Sequence, residues 1–262
     1  MKSSNAVIKL RQKKLLEHLQ TAKNDSVTRI ALKLGVSAIT VRRDLDLLEK
    51  QGYVQRNFGS ASYVLPPNVD VQYTTPQGNP SPDKCIIAKK AASLIHDGDI
   101  VFFNSSSTVL CILDYIEANN VTIITNNGRA LYAHRKRGID LMLTGGEVYG
   151  QKQSLVGEFA FSALAQITAT KCFLGVSGIS VAGGITSAVI QETAVNRQML
   201  ARCIGPKIVV TEGAKIGITR SFFSGNLNEV THLITDSTAN ADEIENIKQN
   251  GITVLLANEK EA

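Results

Sequence analysis

The chain has 262 residues, 44% hydrophobic and 19% charged: a length for about two domains and a composition that excludes collagen-like, disulfide-scaffold and wholly disordered chains. No apolar run approaches the roughly 18 residues a spanning helix needs, and Lys2, Lys9, Arg11, Lys13 and Lys14 interrupt any signal-peptide core. The expectation is a cytoplasmic chain with no membrane contact. The formal charge of +5 is uneven, for residues 1–64 hold twelve Lys or Arg against five Asp or Glu, a net +7, and the remainder nets −2. A small basic segment on a mildly acidic body is expected where one module neutralises phosphates and the other does something else.

Five of the six prolines (Pro66, Pro67, Pro76, Pro80, Pro82) fall in 66–82. Proline fixes φ and lacks an N–H, so this stretch reads as an extended linker. It separates a domain over 1–65 from a second over 83–262. Cys85, Cys111, Cys172 and Cys203 make no Cys-x-x-Cys pair, and His18, His96, His134 and His232 make no helical metal pair. Reduced thiols and no metal or other cofactor are expected.

In the first domain, Ile8, Leu15, Leu16 and Leu19 share one side of a helix over about 6–20. A second helix follows Ser26, a candidate N-cap, and buries Ile30, Ala31 and Leu34 until Gly35 ends it. A third starts at Ser37. At 100° per residue Val41, Leu45 and Leu48 form its buried stripe, while Ile39, Arg43 and Lys50 project from the far side and Arg42 from the flank. Beyond Gly52, Tyr53–Arg56 and Ser60–Val64 read as two short strands around Asn57-Phe58-Gly59, a wing.

A recognition helix meets base edges mainly through its N-terminal residues. Ser37, Ile39, Thr40, Arg42 and Arg43 are placed for that contact, with Arg56 near the backbone and Ser26 at the start of the preceding helix. Arginine suits guanine O6/N7 or a phosphate, and Thr40 suits a phosphate or a thymine methyl. The alternative is a three-helix mini-domain that binds protein, with Arg42 and Arg43 merely solvated.

The second domain alternates β-rich runs (100–104, 121–125, 139–143, 172–176, 207–211, 231–235, 252–256) with helical spacing over 83–96, 108–118, 128–137, 157–167, 189–203 and 240–249. That alternation predicts an α/β fold with a mostly parallel sheet covered on both faces, its ligand at the carboxyl ends of strands. Asn104, Ser105, Ser106, Ser107 and Thr108 follow the first strand and open a helix, a candidate anion site; a Ser/Thr cap with spare hydroxyls is the bland reading. Thr125 and Asn126 follow the next strand, and Gly145 and Gly146 the one after. Each alone reads as a turn; together they suggest loops converging on one small polar ligand.

The string VSAITVRRDLDLLEKQGYVQR at 36–56 resembles the signature of DeoR-type transcriptional regulators. The resemblance implies a winged helix-turn-helix that binds operator DNA as a homo-oligomer. The wing departs from it: Phe58-Gly59-Ser60-Ala61 stands where the family usually has His-Gly-Gly-Ala. TGGEVYGQKQSLVGEFA (144–160), KCFLGVSGIS (171–180), GGITS (183–187), Glu192, Arg197 and Met199 are similar to the family's effector domain. That likeness implies the Rossmann-like fold of sugar-phosphate isomerases and CoA transferases and a phosphorylated sugar as effector. By matched position, Asn104–Thr108 replaces Asp-x-Gly-Thr-Thr, and Thr211–Gly217 replaces Ala-Asp-Ser-Ser-Lys-Phe-Gly. Lys215 is retained, and the resemblance offers it as the cation facing the phosphate.

The leading reading is therefore a non-enzymatic regulator, a repressor of a carbohydrate-utilisation operon controlled by a phosphorylated sugar or related metabolite. A sugar-phosphate isomerase-like enzyme with a DNA-binding appendage is the alternative, with Glu147, Glu192 and Glu212 as candidate bases. A protein-interaction adaptor would differ from both in lacking salt-dependent DNA affinity.

Overall fold

The computed structural model describes residues 5–22, 24–50, 54–57, 60–63, 81–150 and 152–258. Two compact units divide the chain, residues 1–73 and 74–262. Most of the expected linker, 64–80, lies outside the described residues.

The first unit holds α1 (Asn5–Ala22), β1 (Asn24–Ser26), α2 (Val27–Leu34), α3 (Ala38–Lys50), β2 (Val54–Asn57) and β3 (Ser60–Tyr63). Ser26 caps α2, its Oγ accepting the Arg29 N–H at 3.3 Å. Gly35 ends it at φ +65°, a left-handed position that lets its N–H reach the carbonyls of Ala31 and Leu32. The two-residue spacing to Ser37 makes the tight helix-turn-helix. Leu15, Leu19, Ile30, Val41, Leu45 and Leu48 are all buried and pack with Val54 and Ala61 of the wing. β1 is too short and polar to read from sequence, yet it pairs antiparallel with β3 and makes a three-stranded sheet, β1-β3-β2.

An acid fixes the third helix. Asp44 is 2% exposed, and its carboxylate takes Arg11 of α1 in two hydrogen bonds, Nε to Oδ2 at 2.5 Å and Nη2 to Oδ1 at 3.0 Å. A bidentate pair constrains orientation as well as distance. α3 is thereby set rotationally, with the faces on either side of Asp44 divided between core and solvent.

The second unit comprises, in chain order, α4 (Pro82–Ala92), β4 (Ile100–Phe103), α5 (Ser107–Cys111), β5 (Val121–Thr125), β6 (Ile139–Leu143), β7 (Glu147–Tyr149), β8 (Ser154–Val156), α6 (Glu158–Ala165), β9 (Lys171–Leu174), β10 (Gly178–Ser180), β11 (Gly184–Ser187), α7 (Ile190–Arg202), β12 (Lys207–Val210), β13 (Phe222–Gly225), β14 (His232–Asp236), α8 (Ala241–Gln249) and β15 (Thr253–Ala257). Seven strands form one parallel sheet in the order β15-β14-β12-β9-β4-β5-β6. Side chains alternate between its two faces. Phe103, Phe173, Ile208 and Ile234 pack under α4 and α5; Phe102, Leu174, Val209 and Leu233 pack under α6, α7 and α8. Phe103 and Phe173 meet edge to face at 5.6 Å across neighbouring strands.

Three helical expectations shorten. α4 ends at Ala92 rather than 96, and it starts at Pro82 because proline is tolerated at the first helical position. α5 lasts five residues before tightening into a 3-10 turn over Ile112–Tyr115. The stretch 128–137 keeps only a 3-10 turn over Gly128–Tyr132: Leu131 and Tyr132 are exposed and 134–138 are polar, basic or glycine, so no apolar stripe is there to bury.

Strand order locates the site. From β4 the chain adds β5 and β6 on one side, then returns to add β9, β12, β14 and β15 on the other. The order reverses between β4 and β9, and ligands of open parallel sheets lie outside the carboxyl ends of the strands at such a reversal.

Candidate functional site

The first unit presents a surface suited to nucleic acid. Ser37 caps α3, its Oγ accepting the Thr40 N–H at 3.3 Å and lying 2.9 Å from Thr40 Oγ1, so the two hydroxyls stand together at the helix N-terminus. Ile39 is 62% exposed, and Arg42 and Arg43 are exposed beside it. Ser26 serves first as the α2 cap. Arg56 lies in β2, opposite Ala61; its side chain, and the wing tip Phe58-Gly59, lie outside the described residues.

In the second unit a cleft of about 410 Å³ opens at the β4–β9 reversal. Asn104 holds its floor together. The Asn104 Nδ2 donates to the Gly175 carbonyl at 2.8 Å and to Asn196 Oδ1 at 3.1 Å, while its Oδ1 accepts the N–H groups of Gly175 at 3.0 Å and Ser106 at 3.3 Å. An aspartate there would turn an oxygen toward the Gly175 carbonyl, so the amide belongs to this arrangement of the β4 and β9 loops. Ser106 lies directly over Gly175: a Cβ on that glycine would fall 1.9 Å from Ser106 Oγ.

The residues expected to bind an effector divide. Asn104, Ser105, Ser106, Ser107 and Lys215 line the cleft. Thr108, Thr125, Asn126, Gly145 and Gly146 do not. Thr108 is 2% exposed inside α5. The Thr125 Oγ1 accepts the Asn127 N–H at 3.1 Å, and Asn126, wholly buried, donates to the Leu155 carbonyl at 3.0 Å; both brace the loop behind the cleft. Gly145 and Gly146 are exposed turn residues at φ +71° and +111°, and a side chain on Gly146 would strike the Val156 carbonyl at 2.4 Å. The helix-dipole argument for an anion site also weakens, because a five-residue helix aligns few peptide dipoles.

Three further cations stand in the lining beside Lys215. Arg129, Lys152, Lys215 and Arg220 line the cleft, together with Asn127, Ser177, Thr186 and Asn196. Lys215 is held at 2.5 Å by Glu212, which also meets Lys84 of α4 at 3.7 Å. Burial pushes the Glu212 pKa up, but the two ammonium groups outweigh it and hold the carboxyl below its ordinary value. Arg220 is placed by its N–H to Thr186 Oγ1 at 2.9 Å and by Nε to the Ser177 carbonyl at 3.4 Å.

Of the acids considered as bases, Glu147 is exposed on β7 and Glu212 is ion-paired outside the cleft lining. Glu192, on α7, lines the cleft at 8% exposure. The Ser154 hydroxyl donates to its Oε1 at 2.8 Å and the Ser105 hydroxyl at 3.4 Å, with Lys152 at 3.9 Å. Glu192 and Asn196 are four residues apart on one helix face, a polar pair inside an otherwise buried stripe. That spacing is the signal by which sequence reading could have found the α7 side of the cleft. Arg129, in the 3-10 turn, and Lys152 and Arg220, in loops, carry no such signature.

Another hollow, of about 620 Å³, lies between α4 and residues 114–118. No residue of the loops after β4 or β9 lines it. Among the described residues no group of His, Cys, Asp and Glu is arranged to hold a metal ion, and no helix is long and apolar enough to cross a membrane.

Comparison with known proteins agrees with the two-unit plan. Residues 11–65 match the DeoR-like helix-turn-helix domain and residues 81–237 the DeoR C terminal sensor domain. The HTH-type transcriptional repressor GlcR of Bacillus subtilis is 32% identical over 94% of this chain and 95% of its own. The putative aga operon transcriptional repressor of Escherichia coli O157:H7 is 29% identical over 95% and 94%. Among solved structures, ribose 5-phosphate isomerase A of Methanocaldococcus jannaschii aligns with 14% identity and a TM-score of 0.37 over 50% of this chain and 52% of that one. A helix-turn-helix with an outward arginine pair, followed by a parallel-sheet sensor unit and matched over nearly its full length by transcriptional repressors, makes this chain a member of the DeoR family of DNA-binding transcriptional regulators.

Proposed function

We propose that this regulator is a cytoplasmic repressor of a carbohydrate-utilisation operon, binding operator DNA as a homo-oligomer through residues 1–65 and a phosphorylated sugar or related metabolite through residues 83–262. The observation that carries the effector half is the cleft at the strand-order reversal, which four cations and a run of serines line together. Lys215, Arg220 and the hydroxyls of Ser106 and Ser107 offer donors to a phosphate, and the amides of Asn127 and Asn196 offer partners to sugar hydroxyls. On the DNA side, Ser37, Ile39, Thr40, Arg42 and Arg43 face the major groove, with Arg56 at the wing. Control requires only that the metabolite bind one arrangement of the protein better than the other by a few kcal/mol.

The test is retardation of the promoter fragment upstream of the neighbouring genes, repeated with a panel of phosphorylated sugars. At least one sugar phosphate should change retardation and raise the melting temperature without being turned over. Lys215→Ala should lower affinity for that compound and leave retardation by the free protein intact. Turnover would favour the isomerase-like reading, and equal affinity in the variant would remove Lys215 from the site.

A further inference from the structure

The cleft contains one group that a phosphate site does not call for. Glu192 places a carboxylate among four cations, and its side chain is only 11% exposed. Its Oε1 is occupied by Ser154 and Ser105, with Lys152 at the same oxygen, and no described residue donates to Oε2. An ionised carboxylate is acceptor-only. At this spot it welcomes a hydroxyl and repels any second anionic group, with little water to screen the repulsion.

Ser105 is drawn into the same arrangement. Its hydroxyl proton is directed at Glu192, so of the three serines only Ser106 and Ser107 keep a proton for a phosphate. Lys152 lies beside the carboxylate on the same side. Lys215 and Arg220 line the cleft from a different segment, Lys215 ion-paired with Glu212 at 2.5 Å and Arg220 hydrogen-bonded to Ser177 and Thr186. The lining thus holds one cation, Lys152, next to Glu192, and two more, Lys215 and Arg220, contributed by a different segment.

We infer that Glu192 makes the cleft selective for a polyol carrying a single anionic group: the phosphate lies toward Lys215 and Arg220, and free hydroxyls face Glu192, so bisphosphorylated and phosphorylated-acid relatives are rejected. This rests on reading the cleft as the effector site. The discrimination is built by repulsion and by an unused acceptor, which together separate ligands that a purely cationic pocket would rank by total charge.

Calorimetric titration of the full chain with matched pairs tests it: fructose 6-phosphate with fructose 1,6-bisphosphate, glucose 6-phosphate with 6-phosphogluconate, glycerol 3-phosphate with 3-phosphoglycerate. The monoanionic-end member that binds should be preferred over its partner. Glu192→Gln, which keeps an acceptor for Ser154, should shift that preference toward the doubly anionic partner by about tenfold or more. Lys152→Met, which leaves the carboxylate without its cation, should shift it the other way. Each variant's melting temperature and promoter retardation report that it folds. A wild type that prefers the doubly anionic partner, or variants with an unchanged preference ratio, would overturn the inference while leaving a sugar-phosphate effector in place. If no compound in any pair binds, the effector reading itself falls, and this assignment with it.

Discussion

Gly175→Ala is the most direct probe of how the cleft is assembled. A Cβ at this position would lie 1.9 Å from Ser106 Oγ and 2.2 Å from Ser106 Cβ, whereas unstrained carbon contacts begin near roughly 3.5 Å. Neither side can easily withdraw. The Ser106 Oγ accepts the Thr108 N–H at 3.2 Å as the cap of α5, and Asn104 ties both N–H and carbonyl of Gly175 to the β4 loop. Relief requires a backbone shift at the core-facing ends of β4 and β9, an overpacking cost of about 1–3 kcal/mol. For a unit of this size that lowers its melting temperature by about 2–12 °C. Ser106→Gly removes both clashing atoms and leaves Val109 Cγ2 at 3.5 Å, an ordinary contact, while costing only a few tenths of a kcal/mol as a cap. The double variant should therefore melt close to Ser106→Gly alone, with a coupling energy of about 1–3 kcal/mol. Calorimetry on the full chain measures this, since it can resolve separate transitions for the two units. A Gly175→Ala protein that melts with the wild type, or a Ser106→Gly change that fails to rescue it, would refute the packing described for the cleft floor.

Three further outcomes are expected. Arg42→Ala and Arg43→Ala should weaken promoter binding, and each lost phosphate contact should reduce the slope of log K against log salt by about one unit; a double variant with wild-type retardation would remove both from the interface. Arg11→Met leaves the buried Asp44 carboxylate with Gln12, at 3.4 Å, as its one remaining side-chain hydrogen-bond donor among the described residues. It should destabilise the first unit by about 3–5 kcal/mol and weaken DNA binding in proportion, and a neutral result would mean that the pair does not orient α3. Asp99 is held below its ordinary pKa: burial pushes it up, but Lys171 at 2.5 Å, the His96 N–H and the Thr170 hydroxyl outweigh burial. The stability this supplies is complete above the unfolded carboxylate value of about 4 and is lost as pH falls through the lower folded value. Asp99→Asn should therefore flatten the loss of melting temperature between pH 7 and pH 3, and an unchanged slope would exclude Asp99 from the acid response.

Much of this architecture was legible because it is written in periodic burial. The stripe Val41, Leu45, Leu48 with Gly35 ahead of it specifies a helix after a tight turn, and it leaves Ile39, Arg42 and Arg43 outward, as found. The inner strands of the parallel sheet were readable because they are largely buried on both faces and so read as apolar runs, whereas the edge strands β6 and β15 are partly exposed. The shorter pieces escaped. β1, β7 and β10 have three residues each, too few for an alternation to show, and they exist because a partner strand satisfies their backbone groups. Nothing local marks Asp44 as buried, since its partner Arg11 is 33 positions away.

The candidate cleft divides along the same line. Local sequence determined that a polar loop follows an apolar strand at 104–108, because that needs only a change of composition at a strand end. Tertiary structure decided which polar residues line the cleft: Thr125 and Asn126, equally polar, brace the loop behind it, while Arg129, Lys152, Glu192 and Arg220 arrive from four separate segments. A strand's amphipathic period is a property of neighbours in the chain, whereas a binding site at a reversal of strand order gathers residues by sheet topology, which long-range pairing alone sets.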